Sequence, residues 1–506
     1  MEYVSSDRKL LPYGMMNFED IRLDNYYYVD KTSFIPLIEQ SDRFFFFIRP
    51  RRFGKSLTLN MLQYYYDVRT KDKFDSLFGD LYIGKHPTKD RNSYLVIKLN
   101  FSGITGELHN YRKSLDEHCR IVFDYFCDVY ADYLPEGIKE KMAEKDGAVS
   151  QFEYLFTECA RVNQKIYLFI DEYDHFTNTI LSDVDSLNRY TDETHKEGYL
   201  RTFFNKIKSG TDSSIKRCFI TGVSPVTMDD LTSGFNIGWN ISTDYQFNMM
   251  LGFSESDVRE MFQYYKDAGQ LKGDVEAMIT EMKPWYDNYC FAKESLTRDP
   301  KMFNCDMVFY YLRNYMNLDK APEQMIDPNT RTDYNKMKKL IQLDHLDGDR
   351  KGVLRKITEE GEIVTTLATT FPASQITDPE LFPSLLFYYG MLTITATRGN
   401  YLVLSIPNNN VRKQYYEYLL EEYQRQNKKY INLNDLGLMF YDMSYDGKWR
   451  EALEFIAHAY KDNSSVRSMI EGERNIQGFF TAYLSVSAYY LVAPEVELNH
   501  GFCDMF

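Results

Sequence analysis

Four short, mainly apolar runs constrain the fold of this chain more than any other feature of its sequence. They cover residues 44–48, 94–99, 166–170 and 218–220. Longer stretches with apolar residues at helical spacing, such as 57–67 and 111–133, separate these runs. Strands that are apolar on both sides must be covered on both sides. The alternation therefore predicts an α/β fold, with a parallel sheet that has helices on both faces.

The chain is too long for one hydrophobic core, since it has 506 residues. After about residue 250, acids following Ser254 indicate a helix start, and a helix followed by a hairpin over 392–406 is typical of a winged-helix-like element. The segment 407–410, rich in Asn and Pro, marks a boundary. We predict an α/β domain over 1–250, a helical and winged-helix-like region over 251–407 and a third domain over 408–506.

Composition excludes several classes of protein. No segment approaches the about 18 apolar residues needed to span a membrane, and the N-terminus lacks the apolar stretch of a secretory signal. The 7 cysteines form no CxxC pair, which argues against a zinc site and fits a reducing compartment. The net charge of -15 argues against indiscriminate DNA binding. We therefore expect a cytoplasmic protein with no membrane contact.

Residues 49–56, with the sequence Arg-Pro-Arg-Arg-Phe-Gly-Lys-Ser, lie between a predicted strand and a predicted helix. This is the setting of a phosphate-binding loop, because the free N–H groups of the first helical turn attract anions. Lys55 would reach the β- and γ-phosphates, and Ser56 would offer its hydroxyl to Mg²⁺. The general pattern GxxxxGK[ST] has Gly where this chain has Arg49, and a basic loop that caps a helix is the alternative. We predict nucleotide contacts from Arg51, Arg52, Phe53, Gly54, Lys55, Ser56 and Leu57.

Two carboxylates follow the third apolar run at Asp171 and Glu172. The C-terminal tip of a buried parallel strand faces the crevice where α/β sheets bind ligands. Asp171 would hold Mg²⁺, and Glu172 would orient and activate the attacking water. Acids also follow strands simply because loops are polar. We expect the strands that carry Lys55 and Asp171 to lie side by side.

Four further polar residues are candidates for the site, namely Thr221, Ser224, His175 and Arg201. Thr221 and Ser224 follow the fourth run, where a side chain would lie beside the γ-phosphate, and ordinary turn chemistry is the alternative. We assign the catalytic role to Thr221. His175 has no second His or Cys at metal-binding spacing, and Arg201 is interpreted as a surface residue of a helix.

Several segments together resemble the bacterial AAA-ATPase-like family. They are 28–32 (Tyr-Val-Asp-Lys-Thr), 49–56, 171–174 (Asp-Glu-Tyr-Asp), 221–225 and 285–289. The loop of that family commonly reads RPRRFGK[ST], so Arg49 is its usual residue. The resemblance implies a P-loop ATPase domain, ATP and Mg²⁺ as ligands, and residues 30–32 packed near the nucleotide. It also implies a C-terminal PD-(D/E)XK nuclease-like domain.

The C-terminal part of the resemblance is incomplete. Residues 473–480 resemble the opening helix of the nuclease-like fold, and 495–504 resemble the strand with its first metal-binding acid. In that fold the acid is joined by a later E-x-K, which does not follow Asp504 in this sequence. We therefore expect a truncated or degraded nuclease-like domain, with Glu473 and Asp504 as remnants of a site and no nuclease activity.

These observations together predict Mg²⁺-dependent hydrolysis of ATP. Two alternatives stay open. One is a nucleotide-gated switch that binds a partner protein or itself and turns over little ATP. The other is an ATP-regulated DNA nuclease, with DNA bound through the C-terminal region and an active site that is incomplete in this chain.

Overall fold

A computed structural model describes most of the chain. The described residues are 8–104, 111–175, 198–226, 237–298, 301–330, 350–370, 375, 378–426, 432–463, 473–487, 489–490, 492, 494–498 and 501–505. Among them, no helix has both the length and the apolar character that crossing a membrane requires.

The N-terminal part is built on a parallel sheet of five strands. They are β1 (Phe44–Ile48), β2 (Leu95–Asn100), β3 (Ile166–Asp171), β4 (Ile215–Gly222) and β5 (Trp239–Asn240), in the spatial order β2-β3-β4-β1-β5. Each pairing is parallel, and β3 is buried along its whole length. The predicted α/β fold is therefore confirmed, and the two-residue edge strand β5 is an addition that its short sequence did not reveal.

Helices cover this sheet and contact each other through aromatic rings. They are α1 (Phe18–Leu23), α2 (Ile35–Gln40), α3 (Lys55–Tyr66), α4 (Phe74–Phe78), α5 (Tyr82–Lys85), α6 (Tyr111–Val129), α7 (Ile138–Ala143), α8 (Gly147–Arg161) and α9 (Tyr199–Thr211). Phe123 of α6 stacks on Phe152 of α8 at 5.1 Å, and Phe152 stacks on Phe203 of α9 at 5.7 Å. The high aromatic content thus serves the packing of helices, as rings bury large apolar areas.

The strand order corrects one expectation. Strand β4 lies between β1 and β3, with Phe47 opposite Thr221 and Ile170 opposite Ile220. Strand β1, which precedes the loop with Lys55, and strand β3, which ends at Asp171, are therefore not neighbours. The sequence pattern marks a strand as buried, but which strand lies beside it is decided by the packing of helices far apart in the chain.

A second core lies in the helical region. Helices α10 (Glu255–Asp267), α11 (Val275–Tyr286) and α12 (Cys305–Leu318) bury one another, and Tyr27 and Val29 from the N-terminal segment pack against them. Ser254 caps α10, since its hydroxyl accepts the N–H of Asp257 and the Asp257 carboxylate accepts the N–H of Ser254. The predicted helix start is confirmed.

The winged-helix-like element contains the predicted helix and hairpin. Its parts are α13 (Arg350–Glu360), β6 (Glu362–Thr365), α14 (Phe382–Tyr388), β7 (Thr393–Arg398) and β8 (Tyr401–Ser405), and the antiparallel strand order is β6-β8-β7. Strand β6 was not predicted, because its few residues lie in a polar stretch. Leu354, Phe387 and Leu404 belong to the same buried cluster as the parallel sheet.

The C-terminal part is mainly helical. It consists of α15 (Asn409–Gln426), α16 (Leu433–Asp446), α17 (Trp449–Asn463), α18 (Glu473–Leu484), β9 (Pro494–Leu498) and β10 (Gly501–Met505). The expectation of one strand over 495–504 is wrong, because β9 and β10 form an antiparallel pair on either side of residues 499–500, which lie outside the described part. The two predicted boundaries between the three domains stay predictions.

Candidate nucleotide-binding site

The loop between β1 and α3 leaves the start of the helix open. Gly54 is the N-cap of α3 and has a φ of 92°, in the left-handed region that favours glycine. No side chain caps the twelve-residue helix, so none of its first N–H groups is occupied by a side-chain oxygen of the N-cap. A Cβ at position 54 would meet no atom within 4 Å, which shows open space in front of the loop. An uncapped helix N-terminus facing open space is suited to phosphate.

Arg49 holds the base of the loop. Its side chain is 1% exposed and donates to the carbonyls of Ile48 (2.9 Å), Ser242 (2.6 Å) and Phe247 (3.0 Å). Its guanidinium also lies 4.3 Å from the ring centre of Phe47 and 4.2 Å from that of Phe291. Burial lowers the pKa of Arg49 to about 9. The residue that replaces the first Gly of the general pattern is thus an internal tie between the loop and the segment that follows β5.

Lys55 is the first residue of α3 and turns back over the loop. Its Nζ donates to the carbonyls of Arg49 and Pro50, each at 2.8 Å. Burial lowers the pKa of Lys55 to about 8, while the carboxylates of Asp171 and Asp174 act to raise it. The ammonium group is therefore positioned by the loop before any ligand binds.

The side chains of Ser56 and Asp171 contact each other, although β1, which precedes the loop, and β3, which ends at Asp171, are not neighbouring strands. The Ser56 hydroxyl donates to Oδ2 of Asp171 at 2.9 Å, and Oδ1 of Asp171 accepts the N–H of Glu172 at 3.0 Å. Asp171 is 1% exposed, and burial raises its pKa, whereas the Ser56 hydrogen bond, Lys98 and Lys55 lower it. A hydroxyl and a carboxylate in direct contact offer two oxygen ligands to a hard cation.

Glu172 lies directly beyond this pair. Its φ of 50° is unusual for a residue with a side chain, and such backbone conformations concentrate at functional sites. Oε2 of Glu172 lies 3.4 Å from Nδ1 of His175, and this neighbour lowers the pKa of Glu172, as does the nearby Arg51. Glu172 is therefore an ionised carboxylate at the edge of the site.

Asp174 and Thr221 hold the backbone around the site together. Oδ2 of the buried Asp174 accepts the N–H groups of Val223 (3.0 Å) and Ser224 (2.7 Å). The buried Thr221 hydroxyl donates to the carbonyl of Phe47 at 2.6 Å and so ties β4 to β1. The structure thus places Thr221 within the sheet and away from the cavity, in contrast to the catalytic role that its position after the fourth run predicted.

A cavity of about 550 Å³ opens over the loop. Its polar lining residues include Arg51, Arg52, Lys55, Ser56, Asp171, Glu172 and His175. Its apolar and aromatic lining residues include Met15, Met16, Tyr27, Tyr28, Met250, Phe253 and Phe309. All seven predicted contact residues from Arg51 to Leu57 therefore line one cavity with both predicted acids. A cavity with both charged and apolar lining residues suits a ligand that has a charged part and an apolar part.

Most apolar lining residues come from segments that the sequence analysis did not single out. They lie in the N-terminal segments 12–16 and 27–29, in residues 250–253 and in α12. Lys31 lines the same cavity, and its Nζ pairs with Asp257 at 2.6 Å. The family resemblance implied that residues 30–32 pack near the nucleotide, and of these Lys31 lines the cavity. The side chains of Asp30 and Thr32 instead accept N–H groups of α5. In the sequence, the run of tyrosines at 26–28 could have indicated that this segment lines a cavity.

The remaining candidate residues lie elsewhere. Arg201 is a residue of α9 and does not line the cavity. Glu473 begins α18 and Asp504 lies in β10, but their side chains are outside the described part. Across the described ranges, no cluster of three or more His, Cys, Asp or Glu side chains suits a metal. The Ser56–Asp171 pair suits Mg²⁺ in another way, because that ion keeps several waters and takes few protein ligands.

The parallel sheet, the loop at the tip of β1 and the acid at the tip of β3 define a P-loop nucleotide-binding domain. Residues 12–232 match the family model described as predicted AAA-ATPase. Residues 471–506 match a model of the PD-(D/E)XK nuclease superfamily. These two matches confirm the resemblance found in the sequence, over residues 12–232 and over residues 471–506.

Similar proteins include one curated sequence and two solved structures. The curated protein, described as an uncharacterized protein in the vnfD 5' region of Azotobacter chroococcum mcd 1, is 27% identical over 301 residues, covering 57% of this chain and 50% of that protein. The match thus spans half the length of that relative. Cdc6p from Pyrobaculum aerophilum covers 78% of this chain and 93% of its own, at 10% identity and a TM-score of 0.27. The Orc1 protein of Aeropyrum pernix, solved in complex with DNA, covers 79% of this chain and 96% of its own, at 11% identity and a TM-score of 0.28.

Proposed function

We propose that this protein binds ATP with Mg²⁺ in the cavity over the loop and hydrolyses it. The observation that carries the proposal is the 2.9 Å hydrogen bond between Ser56 and Asp171, which line one cavity together with Lys55. Ser56 and Asp171 are 115 positions apart in the sequence, so the fold is what brings them together. The family match of residues 12–232 supports the same proposal.

Each group has a distinct part in binding. The N–H groups at the start of α3 and the ammonium of Lys55 would hold the phosphates. Ser56 and Asp171 would hold Mg²⁺, which supplies charge neutralisation at the phosphate oxygens. Arg51 and Arg52 also line the cavity and add positive charge there. The apolar lining residues would contact the base and exclude water from it.

Glu172 is the residue that we propose for the hydrolytic step. Its carboxylate is ionised, lines the cavity and lies at the end of β3 next to Asp171. A carboxylate in that place can accept a hydrogen bond from a water molecule and orient it for attack. His175, 3.4 Å from Glu172, would hold that carboxylate in position.

Calorimetric titration of ATP with Mg²⁺ tests the binding site. We expect Lys55→Ala to lower the affinity at least about tenfold, because it removes a charge-assisted contact to phosphate. Lys85→Ala is the matched control, since Lys85 is an exposed lysine at the end of α5. Equal affinity in wild type and Lys55→Ala would contradict the proposed site. Titration of GTP under the same conditions measures the preference for the base.

Steady-state phosphate release separates a hydrolase from a nucleotide-gated switch. We expect wild type to release phosphate and Glu172→Gln to bind ATP normally while losing most of the release, about 100-fold or more. Tight binding by wild type with no release above background would favour the switch instead.

The match of residues 471–506 favours a second proposal, that the C-terminal region contacts DNA. Fluorescence anisotropy with a labelled duplex, with and without Mg²⁺ and ATP, tests this. Removal of residues after 470 should abolish any DNA binding. Binding that persists in the shortened chain would place the DNA contact elsewhere.

A further inference from the structure

Strand β2 carries one charged side chain among apolar neighbours. It reads Leu-Val-Ile-Lys-Leu-Asn, and the charged residue is Lys98. Lys98 is only partly buried, although the residues on either side of it, Ile97 and Leu99, are almost completely buried. A lysine within such a strand loses hydration and is disfavoured unless an opposite charge lies close.

The strand register places that opposite charge. In the parallel pair of β2 and β3, Lys98 lies opposite Phe169, and Asn100 lies opposite Asp171. Because side chains alternate along a strand, Lys98, Phe169 and Asp171 share one face of the sheet. Strands about 4.8 Å apart with a rise of about 3.3 Å per residue put the Cα atoms of Lys98 and Asp171 about 8 Å apart. The flexible four-carbon stem of lysine covers much of that distance.

This face is the one that α3 covers. Tyr66 of α3 lies 4.9 Å from the ring of Tyr167, and Tyr167 stacks on Phe169 at 4.2 Å. The face of the sheet that carries Lys98 is therefore packed with aromatic rings, and Asp171 is the carboxylate that the register places on the same face. The carboxylate of Asp171 acts to raise the pKa of Lys98, against the lowering by burial, which is consistent with two charges that face each other.

Both oxygens of Asp171 already accept hydrogen bonds, from Ser56 and from the N–H of Glu172. Within the described part of the chain, the ammonium group of Lys98 has no hydrogen bond. The two groups thus interact through their charges. The positive charge of Lys98 offsets part of the attraction that the Asp171 carboxylate exerts on a free divalent cation.

We infer that Lys98 is a positioning residue and the counter-ion of Asp171, and that it makes metal binding depend on the triphosphate. The inference rests on the proposed function, because it concerns the same metal pair. Without nucleotide, Lys98 repels a divalent cation from the Ser56–Asp171 pair. The negative charges of a triphosphate restore the attraction, so that metal and nucleotide bind together.

Titration of Mn²⁺ in the absence of nucleotide, followed by electron paramagnetic resonance, tests this inference. Lys98→Met keeps the apolar stem and removes the charge, and Lys98→Arg keeps the charge. We expect Lys98→Met to bind Mn²⁺ about fivefold to tenfold more tightly than wild type. That factor corresponds to the repulsion between one charge and a divalent ion about 7 Å away in a water-like dielectric. Lys98→Arg should bind like wild type, and Asp171→Asn added to Lys98→Met should remove the gain.

Equal Mn²⁺ affinity in wild type and Lys98→Met would overturn the inference, and so would a gain that persists without the Asp171 carboxylate. A thermal melt of each variant confirms that it is folded. Titration of wild type with Mg²⁺ and ATP decides the proposed function separately. A wild type that binds no ATP would refute that function, while the nucleotide-free Mn²⁺ series would still report whether Lys98 opposes a cation at Asp171.

Discussion

Arg49 occupies the position where the general phosphate-loop pattern has glycine, and its side chain shows why an arginine is accommodated there. The guanidinium is turned away from the cavity and lies between the rings of Phe47 and Phe291, with three carbonyl partners. The position of this loop that requires glycine is Gly54, because its φ of 92° lies in the left-handed region.

Arg49→Gly is therefore expected to damage the protein even though it restores the general pattern. The substitution removes three hydrogen bonds and two ring contacts, and we expect a loss of about 2–4 kcal/mol in the free energy of unfolding. Thermal unfolding with ATP titration measures the effect. Arg49→Lys, which keeps the charge but not the planar fork, should recover part of the stability. A glycine variant with wild-type stability and ATP affinity would contradict this role.

Thr221 gives a second prediction at this scale, because its hydroxyl is used within the sheet. Thr221→Val keeps the shape and removes the hydrogen bond to Phe47, so we expect a loss of about 1 kcal/mol in stability with ATP affinity unchanged. Thr221→Ser should retain the bond. Urea unfolding and calorimetry measure the two quantities. A large fall in phosphate release at full stability would instead place Thr221 in catalysis.

At the scale of elements, the phosphate loop is held by contacts from the helical region and from the winged-helix-like element. In the helical region, Phe53 contacts the rings of Tyr289 and Phe291 at 5.0 and 5.5 Å, and the N–H of Gly252 donates to the Phe53 carbonyl. In the winged-helix-like element, Pro50 contacts Gly390, in the turn after α14. The loop conformation thus depends on elements that lie far along the chain from it.

Gly390→Ala tests this dependence. The new Cβ would lie 2.8 Å from Cβ of Pro50, closer than real contacts allow, so either Pro50 or the turn at residue 390 must shift. Gly399→Ala is the matched control, because Gly399 also has a positive φ but no atom within 4 Å of the added Cβ. We expect both variants to lose about 1 kcal/mol from backbone strain, and only Gly390→Ala to lose ATP affinity, severalfold by calorimetry. Equal ATP affinity in the two would show that the loop tolerates the displacement.

At the scale of the whole molecule, the loop also connects the sheet to the helical region. Arg52 pairs with Asp306 at 3.1 Å and donates to the carbonyl of Asn329 at 2.6 Å, while the Asn304 side chain donates to the carbonyl of Arg51 at 3.3 Å. Since α12 also lines the cavity, a ligand in the cavity would contact both regions. Ligand binding would then stabilise them together.

Asp306→Asn is expected to weaken this coupling. The pair is partly exposed, so the loss of stability without ligand should be small, about 1 kcal/mol or less. With saturating ATP and Mg²⁺, hydrogen exchange in α12 should slow in wild type and slow less in the variant. Asp319→Asn breaks the exposed pair with Lys272 at the other end of α12 and serves as the control. Identical protection in Asp306→Asn and wild type would contradict the coupling.

Local features of the sequence were enough to predict the α/β class, the loop over 49–56 and the acids Asp171 and Glu172. Strand burial, helix starts and loop chemistry depend on residues close in sequence, so a single chain displays them directly. The capping box at Ser254 and the hairpin of β7 and β8 were predicted for the same reason.

Tertiary structure alone decided the strand order, the internal role of Arg49, the use of the Thr221 hydroxyl within the sheet and the apolar lining of the cavity. Each of these depends on contacts between residues far apart in the chain, such as Arg49 with Phe247 or Met15 with Phe309 around one space. Apolar residues mark what must be buried but not what will bury it, because the hydrophobic effect has no direction. The partner of each buried group is chosen only when the elements pack.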